Sequence, residues 1–293
     1  MLLITQGGEE LLFMLVAIFF YICIDKKFGL RLIYGYLLGA VINESLKLIF
    51  RAPRPYENGD AVSIGDPTPG YSFPSGHSNA AALLATPVCM RYGLRKRWWV
   101  YLIGAAFVLL IMFSRVYLGQ HYIIDVVCGA ALGIILAVGF KFLFELMEDR
   151  EHIWPALIIP ILLILCFVLN GHRDLFVAAG AYSGIALGYF LEKKFVACPV
   201  KAKWWVQILK LVLTFGVLLA IKEGLKPLFN LIVGQFSASS QPAVQNWFDF
   251  VRYFLMTVWA GVGALAVTKF FYKVLKYSPD PNSTLKTPNS TLE

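Results

Sequence analysis

Charge is what this chain has least of. Only 15% of its 293 residues are Asp, Glu, Lys or Arg, against roughly a quarter in an ordinary soluble domain. With 58% hydrophobic residues and a mean hydropathy of +0.67, that scarcity excludes a soluble globular enzyme. Cysteine is also sparse and carries no pattern. Cys23, Cys89, Cys128, Cys166 and Cys198 are scattered without metal-type spacing or a disulfide framework, and most sit in apolar runs as small packing residues. Strict apolar–polar alternation is missing too, which excludes a transmembrane barrel. A cleavable signal peptide is not expected, because Glu9 and Glu10 precede the first apolar run where a signal needs positive charge.

What is present is a series of long apolar runs, among them 11–24, 98–113, 122–140 and 153–169. Runs of about 17 to 25 residues cross a bilayer as helices. The reading is therefore all-α, a polytopic transmembrane helical bundle, with spans at about 9–24, 29–50, 75–91, 98–115, 121–144, 153–169, 174–191, 204–222 and 250–272. The formal charge of +8 does not indicate a nucleic-acid partner. Its cations gather between apolar runs, at Lys26, Lys27 and Arg31, at Arg91, Arg95, Lys96 and Arg97, at Lys141 and Arg150, at Lys193, Lys194, Lys201 and Lys203, and at Lys269, Lys273 and Lys276. Each cluster is a pair of spans from the next, so all can face the cytoplasm together, with the N-terminus outside and the C-terminus inside. Residues 278–293 are polar and repetitive and are expected to be disordered. Arg51 and Lys210 are expected to be interface cations. Residues 223–249 are expected to form a loop with a surface-lying or re-entrant piece around Trp247 and Phe248.

Three polar blocks interrupt the apolar runs: Lys47 with Arg54-Pro55, then Pro74-Ser75-Gly76-His77, then Ser114-Arg115 with His121 and Asp125. On this topology all three fall at the extracytoplasmic face. Residues 51–74, rich in proline and glycine, form the long loop expected to cover them. His121 and Asp125 are four apart, so on a helix they share a face. A carboxylate that takes the proton of one imidazole nitrogen leaves the other as a lone-pair donor. Ser75-Gly76-His77 falls at a helix start, where free amides and the dipole favour an anion, and His77 suits a general acid. Lys47, Arg54 and Arg115 supply cations for phosphoryl oxygens. Taken singly, each block also suits a helix cap or interface cations, and the residues alone do not choose which histidine is the nucleophile. Glu44, one turn before Lys47, suits a local ion pair.

Taken jointly, the blocks resemble a known family. Lys47, six residues, then Arg54-Pro55; Pro74-Ser75-Gly76-His77; and Ser114-Arg115, five residues, His121, three residues, Asp125 match all three signatures of the type 2 phosphatidic acid phosphatase (PAP2) superfamily, with no departure at a signature position. The resemblance covers roughly residues 10–145. It implies a PAP2-type catalytic core over 1–150, with 151–277 as additional transmembrane helices of unassigned role. It further implies a metal-independent lipid phosphatase with no cofactor, which agrees with the lack of an acidic cluster for Mg²⁺. In the implied scheme His121 attacks phosphorus, oriented by Asp125. His77 protonates the leaving oxygen, and Lys47, Arg54, Arg115, Ser75 and the Gly76 amide hold the phosphoryl oxygens. The expected substrate is a membrane lipid phosphate or pyrophosphate: phosphatidic acid, phosphatidylglycerol phosphate, a polyprenyl diphosphate or a sphingoid-base phosphate. A bacterial inner membrane is the expected location, with a eukaryotic reticulum membrane as the alternative. Transfer of the phosphoryl group to another lipid, hydrolysis of a soluble ester, and a transporter or scramblase with a vestigial site are the competing functions.

Overall fold

Helix boundaries in this chain follow local chemistry at each end. A computed structural model describes residues 10–68, 70–93, 97–147, 150, 153–169 and 172–274, and among these there is no strand. The tail from Ser278 lies outside the described residues, as do Glu9, Arg95, Lys96 and Lys276. We number the helices α1 (Glu10–Phe19), α2 (Lys26–Phe50), α3 (Gly76–Tyr92), α4 (Trp99–Tyr117), α5 (Ile123–Leu146), α6 (Pro155–Val168), α7 (Arg173–Leu191), α8 (Trp204–Val233), α9 (Gln241–Val258) and α10 (Ala264–Val274). Wider π-type turns extend α1 over Phe20–Ile24, extend α7 over Glu192–Val196, and join α9 to α10 over Trp259–Gly263. Asp25 starts α2 by accepting the Phe28 amide at 3.1 Å. The helix stops at Arg51, in the left-handed region at φ 49°, just before Pro53 forbids its continuation.

Each of the nine expected spans coincides with a helical segment. Among the described residues six segments are long and apolar enough to cross a membrane: Lys26–Phe50, Trp99–Tyr117, Ile123–Leu146, Arg173–Val196, Trp204–Val233 and Gln241–Lys273. The first segment, α6 and the 17-residue α3 are shorter. Leu102, Ile103, Leu109 and Phe113 stand exposed on α4, an apolar face that suits lipid chains rather than water. α2 and α7 form the buried centre, where Tyr34 packs on Tyr182 with ring centroids 5.0 Å apart.

Small residues let the central helices meet. A Cβ at Gly184 of α7 would strike the Phe254 carbonyl and Thr257 of α9, so this contact requires a glycine. Beside it, Asp249 of α9, 2% exposed, accepts from Arg173 Nε and Arg252 Nη2, each at 2.6 Å. Paired in this way, a carboxylate is tolerated inside an apolar bundle.

Three expectations are corrected. The loop expected over 223–249 shrinks to residues 234–240, because α8 runs through Pro227 to Val233 and α9 begins at Gln241. Trp247 then lies on α9 and packs on Phe167, Phe176 and Phe250. Its aromatic surface serves the bundle, so it is neither surface-lying nor re-entrant. Lys210 is 1% exposed rather than interfacial. Its ammonium donates to the carbonyls of Val200 at 2.8 Å and Pro199 at 3.3 Å, in a stretch without helical bonds of its own. Finally, His121 precedes α5, which begins at Ile123.

Candidate active site

The three polar blocks converge at one end of the bundle formed by α2, α3, α4 and α5. α3 supplies the anchor. Its first i to i−4 hydrogen bond runs from Asn79 N–H to the Ser75 carbonyl at 3.1 Å, so the amides of Gly76, His77 and Ser78 have no intrahelical carbonyl to reach. The Ser75 N–H donates to the Asp125 carbonyl at 3.0 Å, which ties the start of α3 to the first turn of α5. Glycine makes this approach possible. A Cβ at Gly129 would lie 2.5 Å from the Ser75 carbonyl oxygen, and one at Gly133 would lie 2.5 Å from that of Asn79.

α2 brings Lys47 to the same place. Its ammonium lies 3.1 Å from Glu44, the local ion pair read from the sequence, and 3.9 Å from where a Gly76 Cβ would stand. Arg115, Lys47 and Arg54 all lie close enough to His77 to act on it electrostatically. Ser114 is fully buried and bonds back to the Ile111 carbonyl at 2.7 Å, supporting α4 next to Arg115.

The loop over 51–74 expected to cover the site is tied to it through Arg54 and Thr68. Arg54 is 1% exposed, and it laces the loop together. Nε donates to the Gly70 carbonyl at 2.8 Å, Nη2 to Tyr71 at 3.3 Å and Nη1 to Gln120 at 3.0 Å. Arg115 Nη2 donates to the Thr68 hydroxyl at 3.1 Å, and the Thr68 amide donates to Gln120 Oε1 at 3.1 Å. Gly119 lies so close to the Val62 carbonyl that a Cβ would collide with it. The loop is thereby fastened to the α4–α5 connection that carries His121.

The histidine–aspartate pair is present but differs from a simple helical pair. Asp125 occupies the third position of α5, where its carboxylate accepts the Tyr122 amide at 2.9 Å in a capping box. His121 Nδ1 is 3.6 Å from Asp125 Oδ2, too far for a direct hydrogen bond. Ser72 stands between them, with its hydroxyl 2.5 Å from Asp125 Oδ2 and 3.2 Å from His121 Nδ1. On the other side of the ring, Nε2 is 3.3 Å from Arg54 Nη1. Burial drives the His121 pKa down to about 4, with Arg54 and Arg115 adding to the fall and Asp125 opposing it. Its resting form near neutrality is therefore the uncharged imidazole. Burial likewise lowers the Arg54 pKa, against Tyr56, Glu57, Asp125 and Glu44.

The structure thus gathers Lys47, Arg54, Ser75, Gly76, His77, Arg115, His121 and Asp125 into one constellation. Sequence reasoning missed Ser72, Thr68 and Gln120. Ser72 lies only three residues before Ser75, but no periodicity or spacing marks it. Among the described residues no group of three or more His, Cys, Asp or Glu side chains is placed to hold a metal ion.

Two family models match the chain. One described as PAP2 superfamily matches residues 28–151, and one described as PAP2 superfamily phosphatase, transmembrane extension, matches residues 176–273. An undecaprenyl-diphosphatase of Sulfolobus acidocaldarius is 28% identical over 45% of this chain and 64% of its own length. Sphingosine-1-phosphate phosphatase 1 of Mus musculus is 29% identical over 63% of this chain and 46% of its own. The chain therefore spans between about half and two thirds of the length of these curated relatives. A crystal structure of a transmembrane PAP2-type phosphatidylglycerolphosphate phosphatase from Bacillus subtilis is 28% identical, covering 50% of this chain and 76% of that one at a TM-score of 0.40. With both models matched in order, and with all three signature blocks drawn into one buried site, this membrane protein belongs to the PAP2 superfamily and carries its transmembrane extension.

Proposed function

We propose that the chain is a lipid phosphatase that releases phosphate from a membrane lipid phosphate or pyrophosphate through a phosphohistidine on His121, at the extracytoplasmic end of the bundle. The observation that carries this reading is the 3.3 Å approach of Arg54 Nη1 to His121 Nε2. A guanidinium has only donors, so Nε2 beside Arg54 Nη1 at 3.3 Å is the nitrogen with the lone pair. Arg54 and Arg115 are the cations that act on this ring, and Lys47 and the α3 amides belong to the same constellation.

The steps follow from these positions. The Nε2 lone pair forms an N–P bond while the P–O bond to the lipid breaks, and His77 gives its proton to the leaving oxygen. The ring becomes a phosphorylated imidazolium, and the Ser72–Asp125 side opposite offsets its positive charge. His77, now neutral, takes a proton from water as its oxygen attacks phosphorus. The N–P bond then breaks, and the electron pair returns to Nε2. Lys47, Arg54, Arg115 and the Gly76 amide hold the equatorial oxygens in both steps, with charge-assisted hydrogen bonds that tighten as charge develops. A lipid substrate fits a site at the end of transmembrane helices, since its tail can stay among lipid chains while the headgroup reaches His121.

Phosphate release from purified protein should be measured on polyprenyl diphosphate, sphingoid-base phosphate, phosphatidic acid and phosphatidylglycerol phosphate, with His121→Ala as control. Turnover on at least one lipid, abolished in the variant, supports the reading. A phosphorylated lipid product in place of free phosphate would make the protein a phosphotransferase. Lipid movement that survives His121→Ala, in a parent without hydrolysis, would make it a transporter.

A further inference from the structure

We infer that Ser72 is a positioning residue that relays hydrogen bonding from His121 to Asp125 and so fixes which imidazole nitrogen attacks; this rests on the reading of His121 as the nucleophile.

The donor count leaves one arrangement. Asp125, as a carboxylate, can only accept. A serine hydroxyl has a single proton, and the 2.5 Å contact assigns it to Asp125 Oδ2. The oxygen of Ser72 is then an acceptor toward His121 Nδ1 at 3.2 Å, so Nδ1 carries the ring proton and Nε2 does not. Arg54 gives the same answer from the opposite side of the ring, since its Nη1 at 3.3 Å from Nε2 can only donate. The two contacts agree on one tautomer, and the Ser72 contact is the one that holds the Nδ1 proton. Direct histidine–aspartate contact does not do this work here, because Nδ1 and Oδ2 are 3.6 Å apart.

Ser72 is also held unlike the helical serines Ser45, Ser114 and Ser183. Ser45, Ser114 and Ser183 turn their hydroxyls back to backbone carbonyls at 2.7 to 2.8 Å, the ordinary habit of a buried serine on a helix. Ser72 is fully buried in a loop, its N–H fixed to the Ala52 carbonyl at 2.9 Å. Its hydroxyl bonds only side chains of the reaction among the contacts described. When Nε2 becomes bonded to phosphorus the ring gains positive charge, and a chain from Nδ1–H through Ser72 to the carboxylate carries that charge toward Asp125.

The test separates the relay from the reading beneath it. In ¹⁵N-histidine-labelled protein in lipid nanodiscs, the parent should show His121 protonated on Nδ1, assigned by loss of the signal in His121→Ala. Ser72→Ala should give a mixture of tautomers, and it should lower kcat by about 10- to 100-fold with KM within about twofold. Ser72→Thr, which restores a hydroxyl, should return the parent tautomer. Combined with Asp125→Asn, the Ser72→Ala loss should be less than multiplicative, since both act through one chain. An unchanged tautomer and kcat in Ser72→Ala, with His121→Ala inactive, would overturn the relay alone. Turnover that persists in His121→Ala would overturn the nucleophile while leaving the tautomer measurement valid. A Ser72→Ala protein whose kcat falls only in proportion to its folded fraction, with the parent tautomer kept, would also refute the relay.

Discussion

Arg54 Nη1 and His121 Nε2 face each other at 3.3 Å in a buried site, so the cation stands beside the nitrogen that an arriving phosphoryl group must meet. Three of the guanidinium's contacts are backbone carbonyls of the covering loop and of Gln120. Phosphate binding and loop closure thus share one side chain.

Arg54→Lys keeps the charge but not the fork that reaches Gly70, Tyr71 and Gln120 together. We expect kcat/KM to fall by about 100-fold or more, on the scale of losing a preorganised donor to a transition-state oxyanion. The thermal midpoint should fall as well, since the loop loses its lacing. Phosphate-release kinetics and thermal unfolding on the same preparation check this, and near-parent activity with a lowered midpoint would make Arg54 structural only.

The low His121 pKa sets the pH profile. With the group held at about 4 by burial, the nucleophile stays unprotonated until well below its ordinary value near 6.5. The acid limb of kcat/KM assigned to His121 therefore lies below about pH 5. Asp125 raises this pKa, so Asp125→Asn should move the limb lower still while reducing kcat. The same depression makes folding stability full above about 6.5 and progressively lost as pH falls toward the folded value. Each acid-treated sample should accordingly be reassayed at neutral pH. A parent limb near 6.5 that Asp125→Asn leaves unmoved would contradict the assignment.

Activity should persist at full rate in EDTA. Three cations, Lys47, Arg54 and Arg115, already occupy the place where a Mg²⁺ would neutralise phosphoryl charge. Among the described residues no acidic cluster offers the oxygen ligands that such a metal takes. A strict requirement for added divalent metal in phosphate-release assays would refute the mechanism.

Much of this site was legible before any coordinates. Apolar runs set the nine helical segments, because in lipid a continuous apolar run has only the helix with which to satisfy its backbone. The eight signature residues converge because their blocks lie at span ends on one side. Ser72 was not legible, since a loop residue has no period and its partners are remote in sequence, at His121 and Asp125. The end of α8 was placed too early, at residue 222, because Gly234, the Ser-rich turn and Pro242 mark a loop but not where it starts, and Pro227 is carried inside a helix that continues to Val233. Lys210 was misread because hydropathy places a lysine at an interface and cannot see the Val200 carbonyl that holds it inside.

The glycines of α5 give the last test. Gly129 and Gly133 let the first turns of α3 lie against α5, where a Cβ would come to 2.5 Å from the carbonyl oxygens of Ser75 and Asn79. Both obstacles are backbone, so neither can swing aside as a side chain would. Gly129→Ala must push Ser75 away from Asp125, stretching the 3.0 Å bond between Ser75 N–H and the Asp125 carbonyl and misplacing the Gly76 amide and His77 relative to His121. A displacement of about 1 Å at the reacting centre can cost on the order of 100-fold, so kcat should fall by at least tenfold in Gly129→Ala. Gly133→Ala acts one turn deeper, against Asn79, and should lower the thermal midpoint with a smaller loss of kcat. Gly139, on the same helix, has nothing within 4 Å of its Cβ position. Gly139→Ala should therefore leave kcat unchanged and raise helix stability by up to about 1 kcal/mol. Equal effects from all three alanines, in kinetics and unfolding measured side by side, would show that packing against α3 does not position the site.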